Sequence, residues 1–247
     1  MPFKCLSRRG FSRMGRILAS ATLIASAGAC TLLQPAGSAS APLPETSMSD
    51  VKAGPALDWL ATLAVRGRAP RTGYDRALFG QAWADVDRNG CDTRNDVLAR
   101  DLAAEETRPG THGCIILSGT LRDPYTGTTI AFVRGQGTSG KVQIDHVVAL
   151  SDAWQKGAQQ WTTLRRTALA NDALNLLAVD GLTNQRKSDG DAATWLPPSK
   201  AYRCSYAARQ IAVKAKYGLW VTRAERDALG RILATCPSQG LPAAMSR

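Results

Sequence analysis

The sequence VQIDHVV, residues 142–148, decides the fold, because it combines a short β-branched strand with an adjacent acid and imidazole. A second apolar run, 174–179, predicts a buried partner strand, and Asn175 lies near its start. Asn184 follows nine positions later, where a helix is expected to begin. The segment therefore predicts two strands and a helix, each carrying a polar side chain.

The flanking sequence predicts one α+β domain over 55–247. Strand-forming runs separated by a Pro- and Gly-containing turn predict a hairpin over 114–133, and helical patterns occur before and after the central segment. The predicted helices begin at Pro55, near Arg94, at Ser151 (reaching Trp154 and Trp161), at Tyr202 (ending at Tyr217), and at the capping box of Thr222 and Glu225.

The first 41 residues predict an export signal and its cleavage region. Five basic residues precede the apolar run 17–29, and no acidic residue occurs before Glu45. Residues 7–11, SRRGF, resemble the twin-arginine export signal, which indicates a secreted or cell-envelope protein. Cys30 follows Gly and Ala, so lipid attachment there is a minor alternative. Residues 42–54 continue a segment rich in Ala, Ser, Pro and Gly, which predicts a flexible tether.

Composition excludes several classes of protein. No run reaches the roughly 18 apolar residues of a spanning helix, and two histidines are too few for a site built on several imidazoles. The net charge is +11, and loss of the export segment removes five of 31 basic residues and none of 20 acidic ones, leaving +6. That moderate excess is compatible with a polyanionic partner such as nucleic acid but does not by itself establish one.

Four cysteines remain after the export segment, and an even number in an exported protein predicts disulfides. We favour pairing Cys91 with Cys114 and Cys204 with Cys236, because each pair joins neighbours along the chain. The two other pairings and a zinc site of four thiolates are the alternatives, although no C-x-x-C spacing supports zinc.

Residues 85–96 contain a candidate calcium loop. Asp85, Asp87 and Asn89 occupy alternate positions before a glycine, and Asp96 stands at the twelfth position. The competing interpretation, which we favour, is a polar turn that caps the following helix. The twelfth residue is Asp rather than Glu, and Arg88 adds positive charge to the loop.

The polar residues of the central segment suit phosphodiester hydrolysis. That reaction needs a base to deprotonate water and a cation to offset charge developing on the phosphate. A neutral imidazole can be the base near pH 7. Carboxylate and amide oxygens suit Mg2+, or Mn2+ as an alternative, which keeps coordination positions for water and phosphate. Asp145, His146, Asn175 and Asn184 together therefore predict the layout of a ββα-metal nuclease site.

The sequence resembles the HNH endonucleases, in particular an exported branch similar to the C-terminal domain of GmrSD-type restriction enzymes. The resemblance covers roughly 80–236. The stretches that carry it are DRNGCDTRNDVLARD (87–101), DPYTG (123–127), IDHVVAL (144–150), NLLAVDGLTNQRKSDGD (175–191), WLPP (195–198) and YRC (202–204). It implies a ββα-metal nuclease core with an N-terminal hairpin and flanking helices, stapled by disulfides.

The resemblance also implies roles for single residues. His146 would be the general base, Asp145 and Asn184 the metal ligands, and Asn175 the residue that holds the loop after His146 in register. Lys187 would contact phosphate or the transition state, with a solvated helix charge as the alternative. Asp145 and Asn184 replace the first and last residues of the H-N-H motif, which favours oxygen-bound Mg2+ over zinc.

The implied function is an exported, metal-dependent endonuclease with little sequence specificity, acting on DNA or alternatively on RNA. Arg165, Arg166, Arg186 and Lys187 are candidate phosphate contacts, and we assume a monomer. A non-enzymatic alternative is an exported, calcium-stabilised binding module with a vestigial HNH site. A Ser-His-Asp hydrolase is disfavoured, because GTSG at 137–140 lacks the G-x-S-x-G pattern.

Overall fold

The computed structural model describes residues 55–242. The predicted export signal and the tether lie outside the described residues, so these assignments stay predictions. Within 55–242 the chain forms seven α-helices and five strands: α1 Ala56–Thr62, α2 Thr93–Asp101, β1 Leu102–Thr107, β2 Ile116–Arg122, β3 Thr129–Val133, β4 Val142–His146, α3 Leu150–Gln155, α4 Thr163–Ala170, β5 Leu176–Asp180, α5 Gly181–Lys187, α6 Arg203–Tyr217 and α7 Arg223–Leu233.

The predicted strand–strand–helix unit is present as β4, β5 and α5. The two strands pair antiparallel, with His146 opposite Leu176. The Asp180 carboxylate then caps α5 by accepting the backbone N–H of Thr183 at 2.8 Å. Asp145 and His146 are the last two residues of β4 and lie opposite the start of β5. Helix α5 begins at the other end of the strand pair, after Asp180, and its last residue, Lys187, reaches Asp145. The fold is α+β, with a ββα arrangement at its centre.

The N-terminal sheet has three strands rather than the predicted hairpin. Strands β2 and β3 form that hairpin, and β1 adds to the free edge of β2. The sequence of β1, LAAEET, is rich in Ala and Glu, which are uncommon in strands, and five of its six residues are exposed. This segment is a strand because its backbone pairs with β2. The pattern of its own residues gives no sign of that pairing.

The helices near and after the central strands differ from the prediction in two places. Helix α5 begins at Gly181, three residues before Asn184, where its start was expected. Helix α3 ends at Gln155, because Gly157 takes a φ of +130°, and Trp161 lies beyond it rather than within it. Helix α6 ends at Gly218 in the left-handed conformation. The capping box at Thr222 that opens α7 is confirmed, with both of its hydrogen bonds present.

Both favoured disulfides are confirmed. Cys91–Cys114 joins the segment before α2 to the segment before β2, and Cys204–Cys236 joins α6 to the residues after α7. The four-thiolate zinc site is therefore wrong. The bonded cysteines are 23 and 32 positions apart. In the chain-entropy model, loops of this size stabilise the fold by about 3–4 kcal/mol each.

Candidate active site

Asp145, His146 and Asn184 line one polar cleft of about 330 Å³. Strand β4 supplies the first two and α5 supplies the third. The Asn184 Nδ2 donates a hydrogen bond to Oε1 of Gln143 at 2.9 Å. Gln143 precedes Asp145 by two positions and so shares its face of the strand. Sequence reasoning missed this contact, which uses the nitrogen of the Asn184 amide and leaves Oδ1 for other partners.

The His146 ring is held in one tautomer. Its Nε2 lies 2.8 Å from the carbonyl oxygen of Ala170, and a carbonyl only accepts, so Nε2 carries the proton and Nδ1 keeps a lone pair. Burial lowers the pKa of His146 to about 4, against the opposing effect of the Ala170 hydrogen bond. The imidazole is therefore neutral near pH 7 and able to accept a proton at Nδ1.

Both oxygens of the Asp145 carboxylate accept hydrogen bonds. The Tyr125 hydroxyl donates to Oδ2 at 2.5 Å, and the Lys187 ammonium donates to Oδ1 at 2.9 Å. Burial raises the pKa of Tyr125 well above its ordinary value, so the phenol stays protonated and keeps donating. Each carboxylate oxygen has a second lone pair, so the two bonds orient the group without exhausting its capacity. Tyr125 lies in the DPYTG stretch, but sequence reasoning gave it no role.

Lys187 requires a correction, because its side chain is buried rather than a solvated charge. Its ammonium donates to both Asp145 and the backbone oxygen of His146, each at 2.9 Å. Lys187 lies three positions after Asn184, on the same side of α5, and that side packs on β4. In this position the ammonium neutralises Asp145 rather than presenting a free positive charge to the cleft.

Asn175 lies outside the cleft and contacts the segment after His146. Its Oδ1 accepts the N–H of Val148 at 2.8 Å, and its Nδ2 donates to the Val148 oxygen at 3.2 Å. The same Nδ2 lies 3.4 Å from the Leu169 oxygen in α4. Asn175 is fully buried and links the turn after β4 to α4, the helix whose last residue, Ala170, binds His146.

The basic residues near the cleft differ from those expected. Arg166 is buried and donates to the carbonyl oxygens of Leu78 and Trp161. Arg165 donates to the Tyr217 oxygen and lies over the ring of Trp161. Of the four basic residues expected to contact phosphate, Arg186 alone is exposed. Two exposed arginines that the sequence did not single out, Arg71 and Arg76, line the cleft, and their loop has no periodicity that would mark them.

The candidate calcium residues do come together. Asn89 donates its side-chain N–H groups to Asp87 and Asp96, each at 3.1 Å, and its backbone N–H to Asp85. Within residues 55–242, however, no group of three or more His, Cys, Asp or Glu side chains is arranged to hold a metal ion. Asp92, in the same loop, caps α2 by accepting the backbone N–H of Asn95, as the favoured interpretation of a capping polar turn predicts. The calcium assignment stays a prediction without support from the described residues.

The donor set of the cleft fits a hard divalent cation. Asp145 and Asn184 offer one carboxylate and one amide oxygen, and the Asp189 carboxylate also lines the cleft. Mg2+ is commonly bound by one or two protein oxygens together with water and substrate phosphate. The absence of sulfur and of a second imidazole from this set does not suit a structural zinc site. The neighbouring Lys187 ammonium would oppose a cation bound there, so Asp145 and Asn184 alone would hold it weakly.

An antiparallel strand pair followed by a helix, with Asp-His on the first strand and Asn on the helix, defines the class of HNH-type ββα folds. Residues 92–232 match the family described as GmrSD restriction endonucleases, C-terminal domain. The chain belongs to this family. It is also similar to an "Uncharacterized secreted protein" of Arthroderma benhamiae, with 39% identity over 198 residues, covering 79% of this chain and 91% of the relative. No solved structure matches.

These comparisons indicate the general kind of activity and the location of a relative. The family indicates nuclease-related activity and, with it, an interaction with nucleic acid. The Arthroderma relative is named as secreted. None of the helices in the described part of the chain is long and apolar enough to cross a membrane.

Proposed function

We propose that this protein is a metal-dependent endonuclease that hydrolyses phosphodiester bonds of DNA, or alternatively of RNA, with little sequence specificity. The observation that carries the proposal is the neutral His146 beside the oxygen donors Asp145 and Asn184 in one cleft. An imidazole with a free Nδ1 and a pKa near 4 is unprotonated at neutral pH and can take a proton from water.

The roles of the other residues follow from their contacts. Asp145 and Asn184 would hold a divalent cation, Mg2+ or alternatively Mn2+, which would neutralise charge developing on the scissile phosphate. Lys187 and Tyr125 fix the Asp145 carboxylate, and Gln143 fixes the Asn184 amide. Asn175 holds the turn after His146. Arg76, and Arg71 beside its ion-pair partner Asp189 at 3.5 Å, would supply positive charge for the phosphate backbone, and such contacts position a substrate without reading its sequence.

We further propose that the protein acts outside the cytoplasm. Its two disulfides are typical of proteins from oxidising compartments. The secreted name of the Arthroderma relative and the twin-arginine-like SRRGF stretch point the same way.

The test of the catalytic proposal is plasmid nicking by the purified protein in a series of Mg2+, Mn2+, Ca2+ and Zn2+, with and without excess chelator. We expect open-circular DNA to accumulate with Mg2+ or Mn2+ and to stay at background with EDTA. Nicking that is undiminished in EDTA would contradict the metal-dependent mechanism. A parallel reaction on single-stranded RNA tests the alternative substrate.

A further inference from the structure

A second cavity, of about 230 Å³, adjoins the catalytic cleft at His146. Its lining is mostly apolar and includes Phe79, Trp83 and Leu150. Arg76 and His146 line both this cavity and the polar cleft, so the two spaces meet at the imidazole. A group bound in the second cavity would therefore be the immediate neighbour of a group bound in the cleft beside His146.

Flat side chains shape this second cavity. The Trp83 indole lies nearly parallel to the His146 imidazole, with ring centroids 6.2 Å apart and an angle of 14° between the planes. The Trp83 backbone has a φ of +57°, which large side chains rarely adopt, and strain of this kind concentrates at functional sites. Phe79 adds an almost fully buried ring. Such walls suit a planar aromatic ligand.

One polar atom at this cavity lacks a partner. Asn171 lines the cavity and is 3% exposed. Its Nδ2 donates to the Thr167 oxygen at 3.0 Å, but its Oδ1 accepts no hydrogen bond. A buried acceptor without a donor is costly. Oδ1 itself has less than 1 Å² of accessible surface, so a ligand N–H would relieve that cost once the amide turns towards the cavity.

We propose that this second cavity binds the base of a nucleotide next to the scissile phosphate; the inference rests on the proposed nuclease function. The base would stack against Trp83, its N–H would donate to Asn171 Oδ1, and its phosphate would lie near Arg76 in the cleft. Every nucleobase offers an aromatic face, and all the standard bases carry an N–H donor when unpaired, so the subsite discriminates poorly among bases. It does require a base that has left the helical stack, so the enzyme prefers single-stranded nucleic acid over duplex.

Fluorescence anisotropy in EDTA, where cleavage is suppressed, tests this subsite directly. The probes are a labelled single strand of about 12 nucleotides, the same backbone with abasic sites throughout, and the duplex. We expect the intact single strand to bind roughly 5- to 100-fold more tightly than the abasic strand, as base–aromatic stacking predicts, and more tightly than the duplex.

Three variants, at Trp83 and Asn171, test which side chains cause the tighter binding of the intact strand. Trp83→Ala should abolish the difference between intact and abasic strands, whereas Trp83→Phe should retain most of it. Asn171→Leu should weaken binding of the intact strand by roughly 5-fold and leave abasic binding unchanged. The matched control is Trp220→Ala, because Trp220 lines neither cavity and contacts Arg66 and the Gly67 oxygen instead.

The outcomes separate this inference from the proposed function. Equal affinity of the wild type for intact and abasic strands overturns the subsite, even if plasmid nicking succeeds. Base-dependent binding that is lost in Trp83→Ala supports the subsite, even if no metal supports nicking and the nuclease proposal fails. Absence of binding to all three probes overturns the subsite, and plasmid nicking with Mg2+ or Mn2+ then decides the nuclease proposal separately.

Discussion

Asp145 is the residue on which the geometry of the site depends most. Its carboxylate is almost fully buried and accepts hydrogen bonds from Lys187 and Tyr125. Removing one partner of a buried ion pair leaves an uncompensated charge, which is more costly than losing an exposed pair. A divalent cation bound to the same carboxylate would replace part of the lost compensation.

We therefore expect Lys187→Met to lower the free energy of unfolding by about 3–5 kcal/mol without metal, and by less when Mg2+ is present. Urea unfolding with and without Mg2+ measures both quantities. Arg186→Met is the matched control, since Arg186 is the exposed neighbour on α5 and its loss should cost less than about 0.5 kcal/mol. A cost for Lys187→Met that Mg2+ does not reduce would argue against Asp145 as a metal ligand.

At the residue scale the sequence predicted part of the site. Asp145, His146 and Asn184 were expected together, and all three line the polar cleft. The burial of Lys187 and the positions of Arg71 and Arg76 could not be predicted. A buried lysine has the same sequence signature as an exposed one, and the two arginines reach the cleft from a loop whose path depends on distant contacts.

At the element scale, the close approach of α5 to the segment before β4 sets the position of Asn184. Gly181 begins α5, and a Cβ there would lie 2.0 Å from the carbonyl oxygen of Gly140. The overlap is with a backbone atom, so it is relieved only if the start of the helix moves away from Gly140. A Cβ at Gly140 itself would meet nothing within 4 Å.

Gly181→Ala should therefore displace the start of α5, lower the free energy of unfolding by about 2–4 kcal/mol, and reduce nicking even where the protein is folded. Gly140→Ala is the control on the other side of the same contact and should change the free energy of unfolding by less than about 1 kcal/mol. Urea unfolding and nicking of the two variants, side by side, provide the measurement. Equal behaviour of the two alanine variants would contradict this account of α5.

Most elements were predictable, because their signals are local. The capping box at Thr222, the left-handed Gly218 and the β-rich runs at β2 and β3 depend on neighbouring residues alone. Strand β1 was missed because pairing with β2, and not its own composition, makes it a strand. Helix α3 was predicted too long because the interruption at Gly157 has a weak sequence signal.

At the scale of the whole molecule, a buried ionic cluster joins distant parts of the chain. Lys156 contacts Asp152, Asp191 and Glu225 at 2.6–2.8 Å, and Lys214 contacts Asp152 and Glu225. All five side chains are at most 2% exposed. The cluster connects α3, α6 and α7 with the segment after α5. Sequence analysis missed it, although Lys214 lies on the buried face of α6, seven positions after Ala207.

The ion pairs of the cluster also make the free energy of unfolding depend on pH. Burial opposes ionisation of Asp191, but the attraction of Lys156 and Arg68 prevails and lowers the pKa of Asp191 to about 2. Because the folded-state pKa lies below the ordinary value of 3.8, the stabilisation is present above pH 4 and is lost as the pH falls towards 2.

Lys156→Met should lower the free energy of unfolding by about 3–5 kcal/mol at pH 7 and by less at pH 4, where protonation relieves the three carboxylates that have lost one of their cations. Urea unfolding at both pH values measures the difference. Arg226→Met is the control, because the Arg226–Asp227 pair is exposed and should contribute less than about 1 kcal/mol. A loss of unfolding free energy in Lys156→Met that is larger at pH 4 than at pH 7 would contradict the account of the cluster as ion pairs.

The central claim is that His146 Nδ1 accepts the proton of the attacking water. The most direct measurement is the rate of plasmid nicking at saturating Mg2+ by the wild type and by His146→Ala, with folding checked by circular dichroism and with added imidazole as a rescue. We predict a loss of about 10²- to 10⁴-fold for the folded variant and partial recovery with imidazole. A folded His146→Ala variant that nicks DNA at the wild-type rate would contradict the claim.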